Sequence, residues 1–129
     1  MLNDPLAIMM SNILNAEKVG KASCVVKPVS AMIRTVLGIM NTQGYVGDFE
    51  EIQDGRGSFL RLNLLGKVNN CSVIKPRFSV KKDNFEKFEK RFLPAEDFGL
   101  LIVSTPKGIM THYEAKEKKL GGKLICFVY

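Results

Sequence analysis

Apolar residues in this chain recur at two spacings, and the order in which those spacings alternate constrains the fold more than any other feature. In "NDPLAIMMSNILNAEKVG", Leu6, Met9, Met10, Ile13 and Leu14 fall three and four apart, the spacing that lines one face of a helix. Asn3 or Asp4 can cap this helix, Pro5 suits its first turn, and Gly20 marks its end. "ASCVVK" then reads as a short strand rich in β-branched residues, closed by Pro28 before Ser30 caps a second helix. There Ile33, Val36, Leu37 and Met40 share a face, and Gly44 is placed to stop it. "YVGDFEEI" and "FLRLNLL" alternate or nearly alternate and are joined by "QDGRGS", whose Asp54-Gly55 step is a turn signal. Residues 1–66 therefore read helix, strand, helix, strand, strand.

The polar, turn-prone "GKVNN" at 66–70 marks a boundary, with a second half over residues 67–129. Beyond it "CSVIKPRFSV" is extended, and Pro76 demotes it to an edge or bent strand. "KKDNFEKFEKRF" places Phe85, Phe88 and Phe92 at helical spacing, with charges on the outer face. "LLIVST" reads as an apolar strand and "KLICFVY" as another, with "STPKGIMTHYEAKEKKLGG" between them. The expected class is α+β in two small packed halves: an N-terminal α/β half, and a C-terminal half that is mostly β with a short capped helix.

Length and composition narrow the classes of function. A chain of 129 residues is an ordinary size for a single domain and buries roughly two-thirds of its unfolded surface, so it needs no staple. Cys24, Cys71 and Cys126 are odd in number and form no C-x-x-C pair, which argues against a disulfide framework or a zinc site and for a reduced, intracellular protein. The start "MLNDPLAIMMSN" has no basic region ahead of its apolar run, unlike a signal peptide. No run approaches eighteen apolar residues, so no membrane span is expected. Nothing calls for a cofactor, a metal or a small-molecule substrate. The net charge of +6 points to an anionic partner. Residues 1–65 carry six basic and six acidic residues, whereas residues 66–129 carry thirteen and seven, so all of the excess lies in the second half.

Each candidate for chemistry has a plainer alternative. His112 with Ser104, Thr105 or a cysteine would make a nucleophile and base, but no orienting group or oxyanion hole is indicated, and His112 directly follows Thr111 as a first-turn helix residue. Phe85, Phe88 and Phe92 can stack on bases, yet at this spacing they read first as a core face. In "KFEKR" acidic and basic residues interleave as on a solvated face. Thr111 and Glu114 form a capping box, so a helix starts near His112 and stops before Gly121-Gly122. "STPKG" sets two hydroxyls, a lysine and a glycine within five positions after a buried strand, groups that suit phosphate or ribose oxygens. It is not a Walker loop, and on spacing alone an exposed turn is the default.

The residues also carry a resemblance over essentially the whole chain. "DPLA", "NILNAEKVGK", "KPVSAMI", "GYVGDFEEIQDGR", "VIKPRF", "RFLPAEDFGLLIVST" and "EAKEKKLGGKL" follow one another in the order and spacing of the universal ribosomal protein eight family of the small subunit. "NAEKVGK", "IKPRF" and "FLPAEDFG" resemble its archaeal and eukaryotic branch. The resemblance implies a cytoplasmic, non-enzymatic constituent of the small ribosomal subunit. Such a protein binds the central domain of the small-subunit ribosomal RNA, mainly through its C-terminal half, and neighbours the universal proteins five and twelve. Recognition would be of shape, phosphate and ribose.

Carried over by position, Ser104 and Thr105 would be hydroxyl contacts and Lys107 a phosphate contact. Gly108 would keep the turn close, and Gly121-Gly122 would bring Lys123 beside it. "KPVS" would supply a lesser contact through Ser30 and Lys27 at a helix N-terminus. The chain departs from the family at Pro106, where a second serine is common, and at Ala31, where a lysine is common; Arg34 is the available replacement for that lysine. Two further readings stand beside this one: a basic protein-interaction module that meets an acidic partner, and a small hydrolase using Ser104 and His112.

Overall fold

A computed structural model of the chain describes residues 5–26, 31–53, 55, 57–74, 78–81, 83–94 and 99–129. Lys27, Pro28 and Ser30, the Asp54 turn position and Pro76 lie outside the described residues. The chain divides into two compact units, Met1–Asn70 and Cys71–Tyr129.

The first unit contains α1 (Pro5–Lys18), β1 (Ser23–Val26), α2 (Ala31–Thr42), β2 (Val46–Gln53) and β3 (Ser58–Leu64). The strands form an antiparallel sheet in the order β1-β3-β2. Along β3, Leu60 and Leu62 are buried while Arg61 and Asn63 are exposed, so this strand turns an apolar edge to the core and a polar one to solvent. The apolar stripes anticipated on the helices are buried, Leu6, Met9, Met10 and Ile13 on α1 and Ile33, Val36, Leu37 and Met40 on α2, except that Leu14 is half-buried. Each helix ends on a glycine with positive φ, Gly20 at 75° and Gly44 at 81°, as residues in the left-handed region end helices.

The second unit contains β4 (Cys71–Val73), β5 (Ser79–Val80), α3 (Phe85–Phe92), β6 (Leu100–Thr105), β7 (Gly108–Thr111), α4 (His112–Glu117) and β8 (Gly122–Val128). Its sheet runs β4-β8-β6-β7, and β5 pairs with the same strand, β8, as β4 does. All of these pairings are antiparallel. Ile102 faces Cys126 and Val103 faces Leu124, leaving Ile125 as an extra residue in β8; such a bulge bends the strand and increases its twist. The core gathers Ile74, Val80, Leu101, Val103, Met110 and Leu124 with Phe85 and Phe88 of α3 and Ala115 of α4.

Two readings from sequence change here. "GIMT", which reads in sequence as part of the connection between two strands, is β7, the return strand of a hairpin with β6. The Gly-Gly step is not the stop of α4. That helix ends earlier, where Lys119 takes φ 57° and the Leu120 N–H donates to the Ala115 carbonyl at 2.8 Å. The left-handed turn that a glycine usually makes is made here by a lysine.

Candidate nucleic-acid interface

The hairpin joining β6 to β7 turns at Pro106 and Lys107, between the paired residues Thr105 and Gly108. Pro106 sets its own φ near −65°, and Lys107 is not among the residues with positive φ, so the turn is type I in character. Type I turns twist against the strands of a two-residue hairpin. Gly108, with φ 122°, takes up the mismatch in a conformation that side chains disfavour.

Thr105 braces this turn from within. Its hydroxyl donates to the Gly108 carbonyl at 2.8 Å and accepts from the Lys107 N–H at 3.2 Å. A hydroxyl has one proton to donate, so the donor of Thr105 is committed to the turn, and the residue is buried. Ser104, Pro106, Lys107 and Gly108 are exposed. The two adjacent hydroxyls thus differ: Ser104 faces outward and Thr105 holds the loop.

Strand register places Lys123 beside this turn. Ser104 pairs with Ile109 of β7 on one side and with Lys123 of β8 on the other, and directly opposed residues of an antiparallel pair share a face. The approach of β8 depends on Gly122, where an added Cβ would lie 2.1 Å from the Ser104 carbonyl oxygen. Its contribution is therefore the absence of a side chain. Ser79 of β5 faces Lys123 from the opposite side and is exposed. Sequence reading missed it, because residues so far apart carry no spacing signal.

The other candidates separate cleanly. Lys27 and Ser30 lie outside the described residues. Arg34, the suggested replacement for the absent lysine at position 31, donates to Glu51 Oε1 at 2.6 Å. That hydrogen bond, followed by one from Ser58, holds the Glu51 carboxyl below its ordinary value. His112 is fully buried; its Nδ1 accepts from the Leu101 N–H at 3.0 Å, and its Nε2 lies 3.2 Å from Glu89 Oε1, which also pairs with Lys116. The imidazole serves the interior of its unit and makes no base for Ser104. Cys71 and Cys126 are buried, and burial, followed by the charge of Glu17, pushes the Cys24 thiol up, opposite to the change that activates a thiol.

Phe85 and Phe88 are core residues. Phe92 is half-buried and stacks on Phe127 at 5.8 Å between ring centroids. The phenylalanines of α3 are therefore occupied within the unit.

Residues 4–129 match the ribosomal protein S8 family. The small ribosomal subunit protein uS8 of the archaeon Methanococcoides burtonii is 52% identical over 128 residues, covering 99% of this chain and 98% of that protein. The match spans nearly the whole of both units, and the chain belongs to the ribosomal protein S8 family.

Proposed function

We propose that this chain binds small-subunit ribosomal RNA through the β6–β7 turn and the adjoining end of β8. As a member of its family it is a structural constituent of the small ribosomal subunit, works in the cytoplasm and is not an enzyme. It binds ribosomal RNA and neighbouring ribosomal proteins. The finer reading follows the family resemblance: the RNA site is in the central domain, and the protein neighbours are the universal proteins five and twelve.

One observation supports this location most directly: Ser104, Lys107 and Lys123 are exposed together at a turn whose shape is held by Thr105 and Gly108. Two ammonium groups supply charge to phosphates, and a serine hydroxyl can donate to or accept from a phosphate or a ribose 2′-OH. In this reading Ser104, Lys107 and Lys123 touch the RNA, whereas Thr105, Gly108, Gly121 and Gly122 act by shaping the surface. The second contact, at Lys27 and Ser30, rests on the resemblance alone.

The test is a titration of the full chain with central-domain RNA and with an unrelated duplex at two salt concentrations. Tighter binding to the central-domain RNA at both is expected, with affinity falling as salt rises. Equal affinity for the two RNAs would refute the specific site. Tight binding to an acidic protein with none to RNA would support the interaction-module reading instead.

A further inference from the structure

We infer that Ser79 is a further RNA-contacting residue, the outer member of a transverse row, Ser79, Lys123 and Ser104, that strand register builds across β5, β8 and β6. The inference rests on the RNA-binding reading above and extends its site by one strand. Ser79 pairs with Lys123, and Lys123 pairs with Ser104. All three are exposed, and opposed residues of antiparallel strands project from one face. Neighbouring strands lie about 4.8 Å apart, so the two hydroxyls stand roughly 10 Å from each other with the ammonium between them. That span reaches phosphate and ribose groups of successive nucleotides along one RNA strand.

β5 is short, but it is held on both sides of Ser79. The Leu124 N–H donates to the Phe78 carbonyl at 2.9 Å, and Val80 is buried in the core of the unit and pairs with Gly122. Burial of Val80 turns its neighbour Ser79 to the opposite, outward face. Among the described residues no ion pair engages Lys123, and no hydrogen bond engages the hydroxyls of Ser79 or Ser104. A cation between two exposed hydroxyls suits an anion that carries its own hydroxyls, as a ribose-phosphate chain does. At the turn, Ser104 carries the outward hydroxyl, since Thr105 is buried and position 106 is proline. Ser79 supplies a second one from the other end of the row.

The experiment compares Ser79→Ala and Ser79→Thr with the unmodified full chain for binding to central-domain RNA, with Ser104→Ala alongside. Loss of one neutral hydrogen bond should weaken Ser79→Ala roughly 3- to 10-fold. The salt slope should be unchanged, because a hydroxyl displaces no counterions. Ser79→Thr keeps the hydroxyl on a residue that suits a strand, and should bind as the unmodified chain does. If Ser79→Ala binds normally while Ser104→Ala is weakened, this inference is overturned and the site of the preceding section stands. If Ser79→Thr loses as much as Ser79→Ala, the effect is that of a disturbed strand, and the inference is again overturned. If the unmodified chain does not prefer central-domain RNA, the underlying reading fails and takes this one with it.

Discussion

At the scale of single residues, the turn divides its labour between groups that face solvent and groups that hold the loop. Ser104 and Thr105 look equivalent in sequence, but at the end of β6 the first is exposed and the second buried. The Thr105 proton is then spent on the Gly108 carbonyl. Gly122 is the most exacting position, because a methyl group there would fall on the Ser104 carbonyl at 2.1 Å, and backbone does not move aside as the end of a flexible side chain does. Gly122→Ala should destabilise the protein by roughly 1–3 kcal/mol, as overpacking does. It should also displace β8 from β6 and weaken RNA binding. Urea unfolding monitored by circular dichroism measures the first effect, and an unchanged midpoint would remove Gly122 from its structural role.

At the scale of elements, α4 shows how a short helix is held in place. Thr111 caps it by accepting from the Glu114 N–H at 3.3 Å, His112 is anchored to the Leu101 N–H, and Lys119 ends it in the left-handed region. A helix of six residues is too short to persist without such support. Thr111→Ala should therefore cost about 1 kcal/mol of stability, measured by the same unfolding experiment. No stability change would mean that tertiary packing alone holds α4. The cap was legible because Thr-x-x-Glu is a local signal. The stop was not, because Gly121-Gly122 is a more obvious terminator than Lys119, and Gly122 is needed for the approach of two strands. β7 was missed for a related reason: "GIMT" has no strand signal of its own and becomes a strand by pairing with β6.

At the scale of the whole molecule, charge is divided between the halves: the first is balanced and the second carries the entire excess. Each ammonium that neutralises a duplex phosphate adds about 0.9 to the slope of log affinity against log salt, taking the value for DNA. Lys107→Ala should lower that slope by about 1. Arg61→Ala, on the exposed side of β3 in the first unit and beside Glu50 at 4.0 Å, should leave the slope as it was. Equal changes in both variants would mean that the charge acts as a diffuse field rather than at the turn.

By itself the sequence determined the helices α1, α2 and α3, most of the strands, the α+β class and the family, because these follow from periodicity, caps and motifs carried along the chain. Only the tertiary structure decided which hydroxyl of Ser104 and Thr105 faces out, that Arg34 is committed to Glu51, and that Ser79 stands beside Lys123. These depend on strand register and on hydrogen bonds between residues distant in sequence, and no local pattern of residues encodes either.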